Sequence, residues 1–476
     1  MKTDCVNFES DKPSEECAVF GISTKSKNAV AITYNALLAL QHRGQEGSGI
    51  AFNLGNKINC VKGTGLVSDV FKPEFLENPP NSGAVIGHNR YSTTGCSNGD
   101  NVQPFIAEYF TGRIAAAHNG NITNSRSLRE GLGFMGVNFD ATSDSEVLLN
   151  TIAYYAVKYK NVKDGVLRTT ERLRGAYSVV VLCDDGSIIA FRDPDGFRPL
   201  SIGENKDGIA VASETCAFDS CGFCFKRDIL PGEVVVIKDG NIISSEFSAA
   251  PKTEGNGLCV FEYVYFSRPD SFLDGLSVYK SRWNMGAELF KEHPADADMV
   301  CGVPDSGLDA AAGFAHASGI PLGSAFVKNR YIGRSFIYPT DSERQNAVRL
   351  KLNPLSVNVE GKSIVLIDDS IVRGTTCGKI VNALKSAGAL KVHLRISSPP
   401  FINSCLYGTD IGSENNLIAR KMSIEQIRRK IGADSLGFIS VNGLVKACGG
   451  DVRTLCTKCF THGESFHQSK DIFEKE

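Results

Sequence analysis

Short apolar runs punctuated by Gly, Asn and Asp dominate the first half of the chain. Runs at 18–22, 83–87, 114–117, 177–182, 187–191 and 232–237 predict strands separated by turns. Two longer stretches, 29–41 and 146–159, predict helices, the first stopping near Gly44. This rhythm suggests stacked sheets with helices packed outside. A polar stretch containing Gly and Pro, 244–257, is the expected linker.

The second half has a different rhythm. The apolar runs 299–303 and 363–367 read as buried strands, each followed by a loop and a helix. That βαβ order implies a parallel sheet and an α/β unit. A basic helix, 425–431, and irregular Gly- and Cys-rich sequence close the chain.

Composition narrows the function classes. The 476 residues are enough for two or three domains, and a formal net charge of −2 gives no support for a nucleic-acid binder. No apolar run approaches the roughly 20 residues that span a bilayer, so no membrane segment is expected. Residues 1–16 are polar and acidic, unlike a signal peptide, and a cytoplasmic location is expected. Fifteen scattered cysteines in that setting point to buried thiols, a nucleophile or metal ligands rather than disulfides.

The run at 363–367 ends in two carboxylates, Asp368 and Asp369. Ser370 and the loop Arg373-Gly374-Thr375-Thr376 follow, then a helix from Cys377 with apolar Ile380, Val381 and Leu384. This order suits a phosphorylated sugar. Loop N–H groups and the helix N-terminus face the phosphate, and the carboxylates accept ribose hydroxyls or sit beside magnesium. A solvated turn explains any one of these residues but not the set. The segment resembles the signature of type I phosphoribosyltransferases, which bind phosphoribosyl pyrophosphate (PRPP). The resemblance implies a pyrophosphate loop at 301–307 with Asp305 and Ser306, and Mg2+ near Ser306, Asp368 and Asp369. It also implies a flexible lid carrying Lys328, Arg330, Tyr331, Gly333 and Arg334 and continuing through the basic stretch 341–351. A lid would exclude water from an oxocarbenium-like centre. On this segment alone, a regulator that senses PRPP and turns nothing over remains an alternative.

Cys17 heads the first strand, and a lone cysteine there reads as a small buried hydrophobe. Four segments change the weighting: Gln41-His42-Arg43-Gly44-Gln45, His88-Asn89-Arg90-Tyr91, His118-Asn119-Gly120-Asn121 and Thr142-Ser143-Asp144-Ser145-Glu146. Each has a plain reading. Asn119-Gly120 suits a hairpin turn, Asp144 a helix cap, Ser143 with Glu146 a capping box, and Arg90 a surface ion pair. In this order, from Cys17 to about residue 245, they resemble the N-terminal-nucleophile glutamine amidotransferase domain. The resemblance implies an αββα sandwich and removal of residues 1–16 as a propeptide. It makes Cys17 the nucleophile, with its own α-amine as base, and Asn119 with Gly120 the oxyanion donors. Arg90 would grip the glutamine α-carboxylate and Asp144 the α-ammonium. Ala18 stands where many relatives have Gly.

Cys456-Thr-Lys-Cys459 alone suits a zinc half-site, a redox pair or nothing. Cys259 and Cys405 complete a plausible set of four. Their contexts resemble the iron–sulphur-cluster-bearing subtype of the glutamine PRPP amidotransferases, the amidophosphoribosyltransferase family. That implies a structural [4Fe–4S] cluster, with Zn2+ as the alternative. Cys221 and Cys224 share the spacing but match no ligand position, and read as ordinary thiols. The three resemblances cover nearly the whole chain. They imply the first committed step of purine synthesis, with ammonia from glutamine passed to C1 of PRPP. The implied layout is propeptide 1–16, glutaminase 17–250, phosphoribosyltransferase 258–420, and a C-terminal segment 421–476 packed on it. Implied partners are glutamine, PRPP and purine nucleotide inhibitors at Ser306, Lys328, Arg330 and Ser370, in a homotetramer or another homo-oligomer. A glutaminase serving another acceptor is disfavoured by the PRPP loop. The regulator alternative has no use for Cys17, Arg90, Asn119 and Asp144.

Overall fold

The computed structural model describes residues 17–55, 57–91, 99–109, 112–250, 252, 257–329, 352–411, 414–450 and 454–461. The expected propeptide 1–16, the lid residues Arg330, Tyr331, Gly333 and Arg334, and the basic stretch 341–351 lie outside the described residues.

Two antiparallel sheets fill the first half. The first has seven strands in the order Cys224–Asp228, Ser201–Asn205, Gly208–Ala212, Ala18–Thr24, Ala84–Arg90, Gly47–Leu54 and Lys57–Thr64. The second has six: Asn241–Phe247, Glu233–Lys238, Ile188–Arg192, Gly175–Cys183, Gly112–Ile122 and Phe105–Tyr109. Side-chain alternation gives the inner strands two buried faces. Val19, Ile86, Ala115, Ala117, Val180 and Leu182 form the layer between the sheets. On the outer face of the first sheet, Ala18, Phe20 and Ile22 pack under the helix Ala29–Ala39. On the outer face of the second, Ile114, Ala116, Val179 and Val181 pack under the helices Asp144–Tyr159 and Val162–Arg172. Burial on both faces makes these strands continuous apolar runs. The expected αββα layering is observed.

The expected linker begins too early. Residues 244–247 belong to the edge strand Asn241–Phe247. An edge strand with one solvent-facing side is polar enough to read as a loop.

The second half holds a four-stranded parallel sheet in the order Met299–Gly302, Ser363–Asp368, Lys391–Ile396 and Ser435–Phe438. Val300, Val365 and Ile367 face the helices Val278–Glu292 and Leu308–Ser318. Cys301, Ile364, Leu366 and Leu394 face Thr375–Ser386 and Ile424–Ile431. The strand Ser435–Phe438 corrects the boundary expected at 420/421, because a residue run beyond it completes the same sheet. Four residues with a central Gly carry too little β signal to announce a strand. An antiparallel pair, Phe326–Lys328 with Leu352–Pro354, flanks residues 329–351. Among the described residues no helix is long and apolar enough to cross a membrane.

Candidate active sites

The first site collects at the ends of paired strands. Ala18 pairs with Asn89, so Cys17 emerges beside Arg90 and Tyr91. The Tyr91 N–H donates to Cys17 Sγ at 3.4 Å, and the thiol donates to the Tyr91 carbonyl at 3.3 Å. Arg43 Nε donates to the Cys17 carbonyl at 3.1 Å. Arg90 is buried rather than in a surface ion pair, and its Nη1 donates to the Asn101 carbonyl at 2.7 Å. Asn101 in turn exchanges bonds with Thr142, donating to its hydroxyl at 3.0 Å and accepting from its N–H at 3.1 Å. Asn101 thereby ties Arg90 to the segment leading into Asp144, a link absent from the sequence motifs.

Asn119 and Gly120 do not form a hairpin turn. They lie in the strand Gly112–Ile122, opposite Ser178 and Tyr177. Gly120 has φ +136°, and a Cβ there would sit 2.1 Å from the Ala176 carbonyl oxygen, so only glycine fits. The Asn119 side chain is fully buried, yet neither its amide nitrogen nor its oxygen has a hydrogen-bond partner among the described residues. Such a group carries a desolvation cost that a ligand would relieve.

The helix Asp144–Tyr159 starts with Ser143 as N-cap, accepting from the Ser145 N–H at 3.2 Å. The expected capping box does not form. Glu146 instead accepts from the Asp140 and Ala141 N–H groups at 2.9 and 3.0 Å. Asp144 accepts from the Ile122 N–H at 2.8 Å, joining the helix to the Asn119 strand, while its other oxygen has only long hydroxyl contacts of 3.4 and 3.5 Å. His88 Nε2 lies 3.1 Å from the His118 carbonyl, linking the sheets beneath the site. Burial, then the Arg90 charge, pushes His88 down to about 3, so it stays neutral here.

The second site sits at the carboxyl ends of the parallel strands, where ligands bind open α/β sheets. Asp368 and Asp369 end the strand Ser363–Asp368 fully buried. Asp369 accepts from Ser306 Oγ on one oxygen and from Ser370 Oγ at 2.5 Å on the other. Asp368 accepts from the Asp369 N–H at 3.0 Å and from Cys377 Sγ at 3.4 Å. Gly374 caps the helix Thr375–Ser386, so the Thr375 and Thr376 N–H groups open its first turn. Across the loop, Asp305 is exposed and pairs with Lys328. A buried acidic floor and an exposed polar rim therefore face one another.

The third cluster joins distant chain segments. Leu258–Cys259 pairs in parallel with Leu455–Cys456, and the Ile402 N–H donates to the Cys459 carbonyl at 2.9 Å. Cys259, Cys405, Cys456 and Cys459 line one cavity with Phe261, Phe401 and Tyr407. Burial and then the other three thiols push Cys459 well above the ordinary thiol value. The Tyr407 N–H donates to Cys405 Sγ at 3.3 Å. Among the described residues, no three His, Cys, Asp or Glu side chains form a group that could hold a metal ion. Cys221 and Cys224 lie elsewhere as free thiols, Cys221 against the Ile32 carbonyl and Cys224 exposed.

Comparisons with known proteins fall on the same regions. A family model described as a glutamine amidotransferase domain matches residues 88–220. An amidophosphoribosyltransferase from Methanocaldococcus jannaschii is 47% identical, over 94% of this chain and 96% of that protein. One from Bacillus subtilis is 44% identical, over 94% of each. A solved structure of B. subtilis glutamine PRPP amidotransferase complexed with ADP and GMP superposes with a TM-score of 0.86 at 43% identity, over 94% of this chain and 96% of that one.

Proposed function

The chain belongs to the amidophosphoribosyltransferases, enzymes of the first step of purine biosynthesis, and from that premise we propose which residues perform each part of the reaction. The reaction converts PRPP, glutamine and water to 5-phosphoribosylamine, glutamate and pyrophosphate. In this reading, removal of residues 1–16 frees the Cys17 α-amine, whose ordinary pKa near 8 suits it to take the thiol proton. The thiolate attacks the glutamine side-chain amide, ammonia leaves, and water releases glutamate from the thioester. The Asn119 amide and Gly120 N–H stabilise both oxyanions. Arg90 forks onto the α-carboxylate, and the freer oxygen of Asp144 receives the α-ammonium. The observation that carries this half is the unpartnered, fully buried Asn119 amide on the strand that also holds Asp144.

In the phosphoribosyl half, the N–H groups of Gly374, Thr375 and Thr376 with Arg373 receive the 5-phosphate, and Asp305 with Ser306 borders the pyrophosphate. Asp368 and Asp369 orient the ribose hydroxyls. The Asp369 bonds to Ser306 and Ser370 must exchange for substrate bonds on binding. Ser306, Asp368 and Asp369 would hold Mg2+, which when bound would neutralise charge on the leaving pyrophosphate. By the family resemblance, Lys328, Arg330, Tyr331, Gly333 and Arg334 belong to the lid whose role is to keep water from the sugar. No strong base is needed, because ammonia is already nucleophilic.

We read the four cysteines lining one cavity as the ligands of a [4Fe–4S] cluster, with Zn2+ as the alternative, since four thiolates suit either. The cluster's role is structural, stapling the C-terminal segment to the rest. The B. subtilis relative is complexed with ADP and GMP, which supports purine nucleotide binding here; the family resemblance assigns it to Ser306, Lys328, Arg330 and Ser370. A homotetramer or other homo-oligomer in the cytoplasm completes the reading. Cys17→Ala tests it. Glutamine-dependent synthesis should vanish while synthesis from free ammonia persists, and loss of both in a folded variant would refute the two-site scheme.

A further inference from the structure

A buried charge network runs from Cys17 into the other half of the molecule. Arg43, which holds the Cys17 carbonyl, donates from Nη1 and Nη2 to the two Glu262 oxygens, both at 2.9 Å. Its Nη1 also donates to Glu214 at 2.7 Å. Glu262 opens the short π-helix Glu262–Phe266, whose residues pack in the core around the parallel sheet. Its Oε2 accepts from Ser267 Oγ at 2.7 Å. Arg43, Glu214 and Glu262 side chains are fully shielded from solvent. Burial opposes the Arg43 charge, but Glu262 and Glu214 outweigh it and hold the guanidinium ionised.

The same carboxylate reaches the opposite wall of the glutamine site. Arg198 Nη1 lies 3.5 Å from Glu262 Oε1. Arg198 Nη2 donates to the Tyr407 carbonyl at 2.6 Å and to Thr409 Oγ1 at 3.3 Å. That loop lies directly on the oxyanion strand. Asn121 Nδ2 donates to the Leu406 carbonyl at 2.7 Å, and a Cβ added to Gly408 would sit 3.2 Å from the Gly120 carbonyl carbon. One carboxylate from the phosphoribosyl half thus braces Cys17 through Arg43 and the Asn119–Asn121 strand through Arg198.

We propose that Glu262 is a positioning residue for glutamine hydrolysis, fixing the nucleophile and the oxyanion donors relative to each other from outside the glutaminase sandwich. This rests on the reading of Cys17 and Asn119 given above. Arg43 grips the carboxylate as a fork and Arg198 meets it through one longer ion contact, so the carboxylate is the fixed point between the two guanidinium groups. Loss of that centre lets the two walls shift independently, and a misplacement of about 1 Å costs about 10²-fold in rate.

The test uses the mature full-length enzyme with Glu262→Gln, Glu262→Asp and, as a control, Glu233→Gln. The control removes the charge of a buried glutamate that binds Arg227 through both oxygens, away from the site. The readouts are kcat and KM for glutamine, the rate at which iodoacetamide alkylates Cys17, ammonia-dependent synthesis and the thermal midpoint. Glu262→Gln should lower kcat about 10²-fold with KM for glutamine held within about twofold, because Arg90 and Asp144 set ground-state binding. Alkylation should slow, Glu262→Asp should recover part of kcat, and ammonia-dependent synthesis should persist. Glu233→Gln should lower the midpoint without the kcat loss. A wild-type kcat in Glu262→Gln, or an equal fall of glutamine- and ammonia-dependent rates, would overturn the inference. Glutaminase activity surviving in Cys17→Ala would instead overturn the reading beneath it.

Discussion

Replacing Asn119 with leucine should separate stability from activity in opposite directions. Both polar atoms of the Asn119 side chain are buried without partners among the described residues. Each such atom costs about 1–3 kcal/mol of desolvation in the folded enzyme. Leucine has the same number of side-chain heavy atoms and no polar atoms, but its methyl groups take more room than the amide, so about 1–3 kcal/mol of overpacking must be set against the two relieved atoms and Asn119→Leu should stabilise the fold by about 1–3 kcal/mol. The same change removes one oxyanion donor, worth about 10²–10³ in kcat or about 2.7–4 kcal/mol of barrier. The assay pairs urea unfolding with glutaminase kinetics and ammonia-dependent synthesis. The expected result is a higher urea midpoint, glutaminase reduced about 10²–10³-fold, and intact ammonia-dependent synthesis. A destabilised Asn119→Leu with normal glutaminase would refute the reasoning, because the amide would then be satisfied in the resting fold and idle in the reaction.

Asp368→Asn should depress synthesis from either nitrogen source by at least about 10²-fold while glutamine hydrolysis continues; equal loss of hydrolysis would contradict the division of labour. The purified protein should be brown, with iron and sulfide matching one [4Fe–4S] cluster per chain, and Cys456→Ser should lower both iron content and thermal midpoint; a colourless zinc protein would refute the cluster. Acid should destabilise the fold through His88. Its folded value of about 3 lies below the unfolded 6.5, so the unfolded chain binds the extra proton. Stability is therefore lost as pH falls from 6.5 toward 3, by up to about 5 kcal/mol from this group. Urea midpoints measured across that window should fall less steeply in His88→Gln, and an unchanged slope would count against a buried neutral imidazole.

The strands buried on both faces were legible because double burial leaves a continuous apolar run, as in residues 18–22 and 363–367. Strands with a wet or charged side were not. Asn241–Phe247 reads as a linker, and Ser435–Phe438 reads as irregular sequence although it completes the parallel sheet. Local turn chemistry also misled. Asn119-Gly120 has the composition of a hairpin turn, but its register against Ser178 and Tyr177 places it inside a strand. Ser143 and Glu146 have capping-box spacing, but Glu146 bonds the preceding loop instead.

Residue identity and spacing along the chain determined which chemistry is present: a cysteine heading a strand, an acidic pair before a Gly-Thr-Thr helix start, and four thiols in recognisable contexts. Those are local patterns, written by strand burial, helix capping and the geometry of phosphate binding. The tertiary structure alone decided what joins them. Asn101, Arg198 and Glu214 carry no motif, and the segments holding Arg43 and Glu262 do not announce their pairing, because an ion pair or a carbonyl contact across 219 residues leaves no periodicity in the sequence. Their positions follow from how the sandwich packs against the parallel-sheet half, where charges shut away from water are held by one another and so set the distance between the two walls of the glutamine site.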